Sequence, residues 1–236
     1  MQTDLVRTVR HAPSRSRNAF AAANRPLFVV GVLAALAVIV IAAYVSLHPF
    51  IPEDAAIERD VQSVPWGPLA TTFPFYSAIG DSRGFVAELI VFIIILLLNR
   101  RAWVIAAGAS VSALWYLVLS HLIFRPRPTT ATVLQVTEHP GASSFPSGHT
   151  IFTSTLVVVI VLCLGYRFLH RWWGRVIAWI VGLAVIAGNV IDRIDSGAHW
   201  PSDVLAGLLV ATAWLCLWIS IPWVYDRVGD NKPHAT

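Results

Sequence analysis

Three polar clusters interrupt a chain that is otherwise largely apolar: Arg125-Pro126-Arg127-Pro128, Pro146-Ser147-Gly148-His149, and Asp192-Arg193 followed by His199 and Asp203. The Pro-Ser-Gly turn feeds an apolar run that starts at Ile151 and so reads as the entrance to a helix. The first N–H groups of a helix are unpaired and carry the positive end of its dipole, which attracts phosphate above all. Ser147 adds a hydroxyl, Gly148 lets the backbone approach closely, and His149 can transfer protons near neutral pH. In the first cluster each Pro stiffens the backbone after an Arg, and the planar guanidinium fork suits two parallel hydrogen bonds to a phosphoryl group. In the third, a helix beginning near Trp200 places His199 and Asp203 four apart on one face. The carboxylate is then expected to accept an imidazole N–H, which fixes the tautomer and leaves the other nitrogen to attack. Arg193 offers a further fork.

Each cluster has a plainer explanation when taken alone: arginines anchoring a span to headgroups, an ordinary Ser-capped helix, an interfacial His beside a capping Asp. Together they supply two histidines, three arginines, a backbone anion nest and one orienting carboxylate. That is equipment for phosphoryl transfer without a metal, in which cations and N–H groups neutralise the phosphoryl oxygens, one His attacks in line and another protonates the leaving oxygen. Metal-dependent hydrolysis fits less well, because the loops carrying these clusters lack a dense group of carboxylates.

The elements that must position these residues are membrane helices. The 236 residues are 56% hydrophobic and 13% charged, with a mean hydropathy of +0.67, whereas soluble domains carry about 25% charge. The expected fold class is all-α, a polytopic bundle of six transmembrane helices: 27–47, 84–99, 102–124, 150–166, 176–191 and 204–224, with an interfacial aromatic segment at 66–79 between the first two. Residues 1–26 form a basic arm, disordered or lying on anionic headgroups, 27–224 the membrane domain, and 225–236 a polar tail. The first span is too long for a signal-peptide core and is read as retained. Glu88, the one charge inside the second span, reads as capping a partner group and not as touching substrate. Cys163 and Cys216 lie in apolar runs and read as small packing residues, with no disulfide or metal site.

The net charge of +4 does not indicate nucleic-acid binding, since the basic residues sit in short segments between apolar runs. With both termini in the cytoplasm, only Arg59, Arg83, Arg125, Arg127 and Arg193 fall outside, leaving twelve of the 17 basic residues inside. All three polar clusters then share the extracytoplasmic face. A basic arm with no organelle-type address favours a bacterial inner membrane.

These residues resemble the type 2 phosphatidic acid phosphatase superfamily, membrane lipid phosphatases related to vanadium haloperoxidases. Its pattern is Lys-x6-Arg-Pro, then Pro-Ser-Gly-His, then Ser-Arg-x5-His-x3-Asp. Arg127-Pro128, Pro146 to His149, and Arg193, His199 and Asp203 match in order. The resemblance implies that His199 is the nucleophile forming a phosphohistidine, that Asp203 orients it and that His149 is the general acid. It also implies that Arg127, Arg193, Ser147 and the Gly148 N–H hold the phosphoryl oxygens, with no metal and no cofactor. Two positions depart: Ser120 stands where the family has Lys, and Asp192 where it has Ser. Arg125 or His121 is the candidate compensation for the missing cation. The expected function is an integral membrane phosphatase removing a terminal phosphate from a lipid phosphate or pyrophosphate presented by the bilayer. Undecaprenyl pyrophosphate, phosphatidic acid and phosphatidylglycerol phosphate are the candidate classes. The alternatives are a lipid phosphotransferase, in which an alcohol resolves the phosphohistidine, and a non-catalytic lipid-phosphate binder that kept the anion nest. A vanadate-dependent haloperoxidase would have no use for six apolar spans.

Overall fold

All regular structure is helical in the computed structural model, which describes residues 15–80, 82–138 and 141–230. In chain order the helices are α1 (Arg15–Leu47), α2 (Pro52–Gln62), α3 (Phe73–Gly80), α4 (Ser82–Leu98), α5 (Trp103–Ser110), α6 (Ser112–Leu122), α7 (Gly148–Ile160), α8 (Tyr166–Phe168), α9 (Trp172–Asp195), α10 (Pro201–Ser220) and α11 (Pro222–Asp230). A π-helical turn, Val161–Gly165, joins α7 to α8. Among the described residues five stretches are long and apolar enough to cross a membrane: Asn24–Leu47, Arg100–Leu122, Gly148–Phe168, Trp172–Asp195 and Pro201–Ser220. Val86–Leu98 is apolar but shorter, about 20 Å at 1.5 Å per residue. The outward faces of these helices expose Leu33, Val40, Leu97, Ile180 and Leu183, an apolar belt that suits lipid and not water.

Several boundaries differ from the sequence expectation, each for a local reason. α9 continues to Asp195, four residues past the expected end of its span, so Asp192 and Arg193 belong to its last turn. It stops only where Gly197 takes a φ of 69°, a left-handed conformation that glycine adopts without strain. The basic arm is helical from Arg15 and runs into α1 through Pro26, while residues 1–14 lie outside the described residues. The polar tail is helical as far as Asp230, and 231–236 lie outside the described residues. The aromatic segment expected at the interface folds as a 3-10 turn, Gly67–Thr72, and α3, which packs on α4, α7 and α9. The third span is interrupted at Val111 between α5 and α6. The Trp214 and Trp218 indoles on α10 donate to the carbonyls of Gly108 (2.7 Å) and Val104 (3.2 Å) near that break.

α10 is the central helix: α1 lies along it, and α7 and α5 pack against it. The core joins Ile105 of α5, Cys163 of the π turn, Leu215 of α10 and Val224 of α11. Cys163 is buried, Cys216 is half-buried, and both are free thiols. Between helices that face lipid, the fit of small residues holds the contact where a hydrophobic drive is lacking. Gly207 is the clearest case. A Cβ there would stand 2.7 Å from the Ser147 carbonyl oxygen, so the start of α7 touches α10 only because residue 207 has no side chain. Glu88 hydrogen-bonds Ser110 across the α4–α5 contact.

Candidate active site

His199 sits just before α10 and is 2% exposed. Its Nδ1 lies 2.7 Å from the Ser144 carbonyl oxygen. A carbonyl can only accept, so Nδ1 carries the proton, and in the neutral ring the lone pair is on Nε2. Burial, then the charges of Arg127 and His149, hold the His199 pKa well below the ordinary imidazole value, so the neutral, nucleophilic form is the resting one. The expected His199–Asp203 hydrogen bond gives way to this carbonyl. Asp203 instead accepts the Trp200 N–H at 3.1 Å, the residue after His199. It thus fixes the backbone that directly follows the imidazole. Proline at position 201 starts α10 and makes this N-terminal cap possible.

Arg127 stands over the same ring, its Nη1 3.4 Å from His199 Nε2. Its remaining donors reach backbone carbonyls: Nε to Gly141 at 2.6 Å, Nη2 to Ser143 at 2.6 Å, and Nη1 to Ala198. These fix the plane of the fork at the edge of His199 Nε2. The His149 ring lies across the site, its centroid 6.4 Å from that of His199, close enough for one phosphoryl group to touch both. Gly80 of α3 backs it, since a Cβ at residue 80 would overlap the His149 ring.

Ser147 is fully buried. Its Oγ accepts the Thr150 N–H (3.4 Å) and hydroxyl (2.9 Å), and its own N–H donates to the Asp203 carbonyl at 3.0 Å. It caps α7 and ties it to α10, leaving Gly148 in the first turn with its N–H directed out of the helix start. The Tyr116 ring of α6 packs against Gly148, where a Cβ would come within 2.9 Å of it.

The donors of the other two arginines are taken by acceptors of the protein itself. Arg125 is fully buried and ties three segments together: Nη1 to Asp203 (2.6 Å) and Ser202 (2.7 Å), Nη2 to Asp54 of α2 (2.7 Å), and Nε to the Pro49 carbonyl (2.9 Å). It braces α2 against α10 and does not stand in for the missing Lys. Glu58, one turn after Asp54, is also fully buried, and neither of its oxygens has a hydrogen-bond partner among the described residues. Burial, then the charges of Asp203 and Asp54, push its carboxyl up to about 9, so it is protonated at neutral pH.

Arg193 is fully buried in a ring of acceptors. Nη1 reaches Glu138 at 2.7 Å, Nε reaches Asp192 at 2.9 Å, and Nη2 is shared by Asp192 (2.5 Å), Glu138 (3.2 Å) and the Ser77 hydroxyl. Burial alone would raise the Glu138 carboxyl, but the hydrogen bonds from Arg193 and Ser77 and the positive charges nearby outweigh it and hold it below the usual carboxylate range. Ser120 and His121 both turn back to the Leu117 carbonyl of their own helix, at 3.1 and 2.7 Å, so neither replaces the absent cation.

The structure thus brings together His199, His149, Arg127 and the α7 start, with Arg193 alongside under carboxylates. Among the described residues no group of His, Cys, Asp and Glu side chains is placed to hold a metal ion. Sequence reading missed Ser144, Glu138, Ser77 and Asp54. Ser144 acts through its carbonyl, which no residue type advertises. Glu138 carried a signal, being the one carboxylate in residues 125–147.

The family model described as the PAP2 superfamily matches residues 101–227. A decaprenylphosphoryl-5-phosphoribose phosphatase of Mycobacterium tuberculosis is 26% identical over 138 residues, covering 58% of this chain and 67% of the relative. An undecaprenyl-diphosphatase of Bacillus subtilis is 35% identical over 138 residues, covering 56% of this chain and 61% of its own. The crystal structure of a transmembrane PAP2-type phosphatidylglycerolphosphate phosphatase from Bacillus subtilis superposes with a TM-score of 0.63 at 20% identity, over 87% of this chain and 98% of the other. At that identity the likeness is one of fold.

Proposed function

The chain belongs to the PAP2 superfamily, and from that premise we propose that it is an integral membrane lipid phosphatase working without a metal through a phosphohistidine on His199. One observation carries the reading: the Ser144 carbonyl fixes Nδ1–H, which leaves the His199 Nε2 lone pair beside the Arg127 fork and facing His149. In the first step Nε2 attacks phosphorus, the bond from phosphorus to the lipid-side oxygen breaks, and His149 gives its proton to that oxygen. In the second, His149 takes a proton from water as the water oxygen attacks phosphorus, and the P–N bond breaks to restore neutral His199 and release inorganic phosphate. Arg127, the Gly148 N–H and Arg193 neutralise the equatorial oxygens. Asp203 and Ser147 hold this frame from behind.

The substrate class is a prenyl or glycerolipid phosphate or pyrophosphate, presented at the extracytoplasmic face of a bacterial inner membrane by a six-span chain with both termini inside. Twelve of 17 basic residues on the cytoplasmic side support that orientation, and the similarity to a decaprenylphosphoryl-5-phosphoribose phosphatase and an undecaprenyl-diphosphatase supports the substrate class. The competing reading is a lipid-phosphate binder, favoured by the carboxylates that close over Arg193. Phosphate release by purified protein in detergent with EDTA separates the two, using undecaprenyl pyrophosphate, phosphatidic acid and phosphatidylglycerol phosphate. Release that survives EDTA and vanishes in His199→Ala is expected; release that EDTA abolishes, or that His199→Ala retains, overturns the mechanism. Lipid binding without release of phosphate from any of them identifies the binder.

A further inference from the structure

Two carboxylates hold Arg193, and they differ in how readily they can leave. Asp192 is the adjacent residue on α9, 2% exposed, and has no route to water. Glu138 comes from the connection between α6 and α7, and its side chain is 32% exposed. It spans the guanidinium with both oxygens, Oε2 to Nη1 at 2.7 Å and Oε1 to Nη2 at 3.2 Å, while Ser77 donates to Oε1 at 2.6 Å. Two oxygens on one fork is also how a phosphoryl group binds arginine. Glu138 and a phosphoryl group therefore compete for the same N–H donors, in a site with one cation fewer than its family pattern.

We propose that Glu138 is a specificity-determining residue: a tethered carboxylate that holds Arg193 until a lipid phosphoryl group displaces it, and that keeps free inorganic phosphate out. The proposal rests on the lipid-phosphatase reading. A tethered group competes at an effective concentration of order millimolar or more, which a dissolved anion must overcome unaided. A lipid substrate is concentrated and aligned by the bilayer before its phosphoryl group reaches the site. Rotation of the Glu138 side chain into water completes the exchange, and Asp192 and Ser77 keep the guanidinium in place. After hydrolysis the carboxylate returns and expels the product.

The test measures binding of inorganic phosphate, read as protection against thermal unfolding of the full chain in detergent. Its inhibition of lipid-phosphate turnover is read in parallel. Glu138→Gln keeps the shape and removes the charge, and is expected to bind phosphate about tenfold or more tightly, the scale of one charge-assisted hydrogen bond, with the inhibition constant falling alongside. Glu138→Ala is expected to act in the same direction, and Glu138→Asp, which keeps the charge, to stay near wild type. Phosphate binding in Gln and Ala variants no tighter than in wild type overturns the proposal, whatever happens to turnover. Tighter phosphate binding in a protein that hydrolyses none of the lipids would overturn the phosphatase reading and leave the exchange standing.

Discussion

His199 obtains its orientation from a peptide carbonyl, and its charge state from burial. Because its folded pKa is depressed, the unfolded chain takes up the proton first as pH falls. The stability this group contributes is complete above about pH 6.5 and is lost as pH falls below it. Thermal denaturation between about pH 7.5 and 5 should show wild type losing stability toward acid, and His199→Ala losing less. On the same ground, the acid limb of kcat/KM should lie below the ordinary imidazole range. His199→Ala should abolish turnover, and Arg127→Lys should lower it by about 10²-fold, because an ammonium cannot hold the Ser143 and Gly141 carbonyls and still present a fork beside Nε2. Near-normal rates in either variant would refute the assignment.

Two helix starts, those of α7 and α10, form the floor of the site, and their contact depends on the missing side chain at Gly207. In Gly207→Ala the new Cβ meets backbone, the Ser147 carbonyl, which cannot rotate away. A loss of about 1–3 kcal/mol is expected, with kcat falling more than KM rises, since His149 follows Ser147 into α7. Arg125→Met tests the brace from α2: removing one partner of a buried pair leaves Asp54 and Asp203 facing each other, at a cost of about 3–5 kcal/mol. Unchanged melting in that variant would contradict the brace. The apolar runs were legible as helices because composition and length settle them, and the three polar clusters were legible because Arg, His and Pro-Ser-Gly are rare in such runs. Partners were not. Asp203 four residues from His199 satisfies the spacing for a hydrogen bond, but as the third residue of a Pro-started helix it is drawn to the Trp200 N–H. Arg125 and Arg127 look equivalent in an Arg-Pro-Arg-Pro sequence. Only tertiary placement of α2 sends the first into the core and leaves the second at the imidazole.

Across the whole molecule, buried charge is concentrated at one end of the bundle, where Arg125, Arg193, Asp54, Asp192 and Asp203 lie beneath α2 and α3. Glu58 is the member without a partner. Its raised pKa means the folded state keeps a proton that the unfolded chain releases, so stability falls as pH rises from the ordinary Glu range toward about 9. Glu58→Gln should therefore melt higher than wild type at about pH 8 and equal to it near pH 4; a lower melting point at pH 8 would mean that the carboxylate form has a partner.

The pairing of α1 with α10 also imposes an order in time. The Asn24 side chain donates to the Ser220 carbonyl, 196 residues away, and the first long helix packs mainly on the last. A ribosome delivers α1 to the bilayer well before its partner is made, about ten seconds or more at 5–20 residues per second. Until then the face of α1 that carries Val38, Ala42 and Val45 has only lipid to lie against. The nest at the start of α7 is likewise incomplete until Asp203 and Gly207 arrive. The candidate centre therefore assembles only when His199 and α10 emerge, after α1 and α7 have already entered the bilayer.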